Sequence, residues 1–143
     1  MMKEKGRKAE HSRTIVLYLV SHASGELVEM LARNAVTQLT GLEVKRRLWK
    51  MVRHLDQVPE ILGTFASSPG YVLHSISHHD IREALEEGCR RLNLPYQFAL
   101  EPLLGRLAGY SGATVQFHNS SGDAFDEDYY RRVEAMKYTL AHD

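Results

Sequence analysis

The residues able to do chemistry gather in a few short runs. The first is Ser21-His22-Ala23-Ser24-Gly25-Glu26, set between an apolar stretch and a helical pattern. Small residues at the entry to a helix leave backbone N–H groups open to an anion such as phosphate. Ser21, His22, Ser24, Gly25 and Glu26 are therefore the candidate ligand loop. Its single glycine sets it apart from G-x-G-x-x-G, and G-x-x-x-x-G-K-[ST] occurs nowhere in the chain. A tight structural turn accounts for the same residues without a ligand, and both readings stand at this level.

The second run is His74, His78 and His79. Neighbouring side chains diverge on either regular element, so His78 and His79 do not converge on one point. With no cysteine or second acidic ligand nearby, no metal set is predicted. General acid–base use needs a defined partner, and the spacing names none. The third run is Asp123, Asp126, Glu127 and Asp128. Attraction to a helix N-terminus explains it, and Arg131 and Arg132 lie a turn later. No complete catalytic set is predicted. Cys89 is the single cysteine; it falls on an apolar helical face, which suits a buried, inert thiol in a reducing, cytoplasmic compartment.

The elements that position these runs alternate. Thr14 to Val20 is β-branched and apolar, a strand buried on both faces as in a parallel sheet. Glu26 to Leu39 carries Leu27, Met30, Leu31, Ala35 and Leu39 at helical spacing, with Ser24 as the expected N-cap and Gly41 as the stop. Leu42 to Trp49, with Lys45-Arg46-Arg47, suits an edge strand, and Trp49 is expected to pack against a helix. Leu55, Val58, Ile61, Leu62 and Phe65 mark a second helix, which Pro59 restricts to a start near Gln57 or Val58. Tyr71 to Ile76 is a third strand. Asp80 and Glu83 form a capping-box-like pair before a helix whose stripe is Ile81, Leu85, Cys89 and Leu92, with Arg82, Glu86, Glu87, Arg90 and Arg91 facing water. Tyr96 to Leu100 is a fourth strand and Leu103 to Tyr110 a short helix. Residues 111–125 read as a loop. Asp126 opens a last helix with Tyr130, Val133, Met136 (or Lys137) and Leu140 on one side.

This order predicts a three-layer α/β fold, with a mainly parallel sheet of about four strands and helices on both faces. Residues 1–13 form a disordered basic arm and 14–143 a single domain. Ligands of such sheets bind outside the carboxyl ends of the strands. Ser21–Gly25, the segment after Trp49, Ser75–Asp80 and Glu101–Pro102 should share that edge.

Composition narrows the function. Lys+Arg and Asp+Glu number 18 each, so no excess charge points to nucleic acid or an anionic membrane. The longest apolar run, Ile15 to Val20, is far short of the roughly 20 residues that span a bilayer. At 143 residues the chain buries enough surface to fold without disulfides or metal.

Several phrases, taken in order, resemble the pyruvate, phosphate dikinase regulatory proteins. They are Tyr18 to Glu26, Leu48 to Arg53, Pro69 to Leu73, Leu85 to Leu92, and above all Tyr129 to Asp143, which is similar to a helix running into His-Asp-Asp-Gly. The resemblance spans roughly residues 14 to 143, the N-terminal half of such a protein. It implies a bifunctional regulator that phosphorylates a threonine of the dikinase with ADP as donor. The same regulator removes that phosphate with inorganic phosphate, giving pyrophosphate. A sister group acts on phosphoenolpyruvate synthase. The family's P-loop lies beyond the signature that ends here at His142 and Asp143, so this chain is expected to hold no nucleotide cofactor and to be inactive alone. Where the family has Asp and Ser, this chain has His22 and Ala23. The implied alternatives are a split enzyme, completed by a separate P-loop chain, or a non-catalytic module that binds a partner protein or a phosphate-containing ligand. Apolar residues such as Tyr130, Met136 and Tyr138, left without the missing half, lead to the expectation of a homodimer or poor solubility.

Overall fold

In the computed structural model the described residues are 13–116. The basic arm up to Ser12, the acidic run from Asp123, the last predicted helix and His142–Asp143 lie outside them. Four strands and four helices alternate: β1 (Arg13–Val20), α1 (Glu26–Val36), β2 (Leu42–Trp49), a 3-10 turn (Leu55–Gln57), α2 (Val58–Ser67), β3 (Tyr71–His74), α3 (His79–Arg91), β4 (Tyr96–Phe98) and α4 (Leu103–Ser111). All strand pairs are parallel and the order is β2-β1-β3-β4. The α/β class, the parallel sheet and the four strands are those expected.

Strand order reverses at β1. With right-handed crossovers, that reversal sends the helices before and after β2 to opposite faces. Two cores result. On one face Tyr18, Val20, Val72 and Ile76 pack with Val58, Ile61 and Phe65 of α2 and Ile81, Leu85 and Cys89 of α3. On the other, Leu17, Leu19 and Leu73 meet Val28 and Ala32 of α1. The first core is the larger because two helices cover it. There Gly88 lets α3 approach α2: a Cβ on it would collide with the Leu62 side chain.

The structure corrects the sequence reading at several points. α1 buries Val28 and Ala32, whereas Leu27, Met30, Leu31 and Leu39 stay exposed. Small side chains at 28 and 32 let the helix sit close on β1, which turns the bulkier stripe to the side. Ser24 is not the cap of α1. Gly25 occupies that position at φ 92°, with no side-chain cap bond. A side chain there would meet strain, and its Cβ would lie 2.8 Å from Leu48 Cδ2. α3 begins at His79, behind His78 as N-cap, with no side-chain cap bond, so Asp80 is already inside the helix. β3 and β4 end earlier than expected, at His74 and Phe98. Glu86, expected in water, is buried.

Candidate functional site

The crevice where strand order reverses lies between β1 and β3, whose last residues Val20 and His74 are paired. In open α/β sheets this is where ligands enter. Backbone bonds bring the predicted loops together there. Ser75 N–H donates to the Val20 carbonyl (2.9 Å), Ser21 N–H to Trp49 O (2.9 Å), Val52 N–H to Ser21 O (2.9 Å) and Met51 N–H to Ala23 O (3.0 Å). Three of the four predicted edge segments therefore form one rim: Ser21–Gly25, the residues after Trp49, and Ser75 onward. Glu101 and Pro102, the fourth, line an apolar groove against α1 instead.

Within the rim, the candidate loop is pinned from several sides. Ser21 Oγ accepts from Ala23 N–H (3.0 Å), closing a tight turn. His22 is buried, and its Nδ1 lies 2.7 Å from the Ser75 carbonyl. A carbonyl only accepts, so Nδ1 carries a proton and donates it to this bond. Arg53 Nε–H donates to the His22 carbonyl (2.7 Å). Arg53 is itself held by the Gln57 side chain, whose Oε1 accepts from the Arg53 and His54 N–H groups (2.7 and 2.9 Å) while Nε2 donates to Met51 O (3.2 Å). Met51 adopts φ 54° to make this turn. Ser24 Oγ is buried without a hydrogen-bond partner among the described residues. Gly25 then opens α1, with Glu26 and Glu29 in its first turn. The first N–H groups of α1 face the crevice without intrahelical acceptors. They favour an anion, and the two carboxylates oppose one.

His74 ends β3 and does not join His22. It turns under the sheet to Glu86 of α3: Nε2–H donates to Glu86 Oε2 at 2.7 Å, and Ile76 N–H donates to Nδ1 at 3.1 Å. The two bonds fix the neutral Nε2–H tautomer of His74. Burial holds the His74 pKa below its ordinary value, against the raising effect of Glu86. Burial pushes Glu86 upward, but the hydrogen bond from His74 and the Arg82 charge outweigh it, and the carboxyl sits below its ordinary value. Arg82 Nε reaches Glu86 Oε2 at 3.3 Å and lies over the Phe98 ring (4.2 Å), which in turn stacks on His74 (5.4 Å). This network supplies the partner for His74 that spacing did not name. The available signal was position. Glu86 lies about 100° round the helix from Leu85, on the border of the buried stripe, and sequence reasoning placed it on the wet side.

The histidine run is dispersed: His74 and His78 are buried and His79 is exposed. No group of three or more His, Cys, Asp or Glu is placed to hold a metal among the described residues. Cys89 is buried, and burial, then the nearby Glu86 charge, push its thiol up to about 11. No described helix is long and apolar enough to cross a membrane. Arg53 and Gln57, which brace the loop, were missed because their role depends on the turn at Met51.

Comparison with known proteins covers most of the chain. The profile of a family described as Kinase/pyrophosphorylase matches residues 17–143. A protein of Novosphingobium aromaticivorans, named as a candidate pyruvate, phosphate dikinase regulatory protein, is 36% identical over 127 residues, which is 89% of this chain and 45% of its own length. Proteins of the same name from Caulobacter vibrioides and Erythrobacter litoralis are each 35% identical, over 89% and 92% of this chain and 40% and 47% of their own lengths. The chain thus spans less than half the length of these relatives. The range matched by the family profile, residues 17–143, takes in the crevice and both cores, and the chain belongs to the Kinase/pyrophosphorylase family.

Proposed function

We propose that these residues form the N-terminal part of a bifunctional dikinase regulator. In that reading the Ser21–Glu26 rim receives a phosphate group, and nucleotide handling lies elsewhere. The observation that carries the proposal is the coincidence of the family match with an intact crevice at the strand-order reversal, fed by the N-terminus of α1. The complete protein would phosphorylate a threonine of pyruvate, phosphate dikinase or phosphoenolpyruvate synthase using ADP, and reverse this with inorganic phosphate. Its setting would be the cytoplasm, where a lone thiol such as Cys89 stays reduced. These residues hold no P-loop sequence to grip a β-phosphate, so they transfer no phosphate by themselves.

A second reading, a non-catalytic module that binds the dikinase or a phosphate-bearing ligand, draws support from His22. Its imidazole is engaged with the Ser75 carbonyl in the body of the rim, as suits a structural residue. Incubation with ADP, ATP and dikinase, read as threonine phosphorylation, tests the first statement: no transfer is expected, and clear phosphorylation refutes it. Calorimetric titration with phosphate and with ADP tests the rim. Saturable phosphate binding without ADP binding supports the proposal, and tight ADP binding overturns it.

A further inference from the structure

Two imidazoles hold the two ends of one peptide group. The Ser75 carbonyl and the Ile76 N–H belong to the same amide, just past the last paired residue of β3. His22 Nδ1–H donates to that carbonyl at 2.7 Å, and the N–H donates to His74 Nδ1 at 3.1 Å. His22, His74, Ser75 and Ile76 are all buried. An amide this far from water needs a partner at each end, and here both partners are side chains. The sheet ladder stops one group earlier, at the bond from Ser75 N–H to Val20 O (2.9 Å). Beyond it the planar amide can still turn about the dihedrals on either side. The ladder alone therefore does not aim the Ser75 carbonyl at the rim.

Donation along this path runs one way. His22 gives to the Ser75 carbonyl, the Ile76 N–H gives to His74, and His74 Nε2–H gives to Glu86 Oε2 at 2.7 Å. Bonds aligned head to tail polarise and strengthen one another. The path ends on a carboxylate, which keeps the His74 proton on Nε2 and so makes Nδ1 an acceptor.

We propose that His74 is a positioning residue of the candidate loop: by accepting from the Ile76 N–H it aims the Ser75 carbonyl at His22, and so holds Ser21–Glu26 at the crevice. Glu86 acts one step further back, by setting the His74 tautomer. His22 is then fixed from two sides, through its ring from β3 and through its carbonyl from Arg53 (2.7 Å). A histidine that only filled core volume would need neither nitrogen placed. The inference concerns where the loop is held and not what it binds, so it stands apart from the phosphate reading.

Two substitutions on the full chain separate the two nitrogens. In His74→Asn the side-chain oxygen takes the place of Nδ1 and can accept from Ile76. In His74→Gln the side-chain amide takes the place of Nε2 and can donate to Glu86, with no acceptor left at the Nδ1 position. Amide hydrogen exchange is read at the Ser21–Gly25 rim against α2 and α3 of the same chain. His74→Gln should speed exchange at the rim roughly tenfold or more relative to the helices, and His74→Asn should keep it within about threefold of the parent. Equal protection in both variants, equal loss in both, the reverse order, or a loss that merely follows the helices overturns the proposal. The unmodified chain supplies a readout that needs no substitution. A nitrogen-to-nitrogen coupling across the bond from Ile76 N–H to His74 Nδ1 should be seen by NMR at neutral pH, and its absence is the refuting result.

Discussion

Glu86→Ala and Glu86→Gln together interrogate the buried pair beneath β3. Alanine removes the acceptor of the His74 Nε2–H and the counter-charge of Arg82, and leaves a fully buried donor unsatisfied. An orphaned buried donor costs roughly 1–3 kcal/mol, and breaking a buried charged pair roughly 3–5 kcal/mol. His74 is neutral and Arg82 partly exposed, so about 2–4 kcal/mol is expected for Glu86→Ala. Glutamine keeps an oxygen in place and loses only the charge, which lowers a charge-assisted bond to an ordinary one at a cost of about 1 kcal/mol. The pH dependence follows from the two shifts. The unfolded His74 takes up a proton near 6.5, the folded one only at lower pH, so stability is fully present above 6.5 and falls as pH drops below it. Glu86 adds a second loss, present above 4.5 and surrendered as pH falls through its lowered folded value. Both act in the same direction. Urea unfolding of the three proteins between about pH 3 and 8 measures this, and nitrogen-15 shifts of the imidazole report the tautomer. If Glu86→Gln proves as damaging as Glu86→Ala at pH 7.5, charge rather than hydrogen bonding holds the pair. His74 would then be an imidazolium, and the tautomer assignment fails.

Other substitutions probe the scaffold. Leu85→Asp buries a carboxylate in the larger core and should abolish cooperative unfolding, whereas Glu87→Ala, on the wet side of α3, should stay within about 0.5 kcal/mol of the parent; circular dichroism during urea titration distinguishes them. Gly25→Ala combines positive φ with crowding against Leu48 and should cost about 1–3 kcal/mol, seen as a lower urea midpoint; an unchanged midpoint would mean the turn relaxes freely. The Cys89 thiol should resist Ellman's reagent at pH 8 in the native protein and react at once in denaturant. Rapid native reaction would contradict its burial.

Much of this architecture was legible in the chain because strong local patterns agreed with the global fold. The run Ile15 to Val20 admits few readings besides a buried parallel strand, and Pro59 fixed the start of α2 within a residue. The rim at Ser21–Gly25 was legible as well, since any loop after a parallel strand must fall on that edge. Periodicity failed where the protein departed from bulk-inward packing. On α1 the largest side chains are not the buried ones, because Val28 and Ala32 permit the closer approach to β1. At Glu86 a carboxylate goes inward to meet a histidine twelve residues away, a pairing visible only after β3 and α3 are brought together. Arg53 and Gln57 were invisible for a similar reason: their bonds to the loop follow from the φ of Met51.

Trp49 closes β2 at the rim, half-buried, edge-on to Phe65 (5.6 Å), near Tyr18 (5.5 Å) and under the Arg47 guanidinium (4.5 Å). Its carbonyl holds the first residue of the candidate loop. As the single tryptophan of the chain, it makes the protein its own optical probe. Emission excited selectively at the indole comes from one place, between a cation and two aromatic rings, one covalent step from the crevice. Any occupant that shifts the Ser21 turn should alter that emission without a label, whereas events confined to α4 should leave it unchanged.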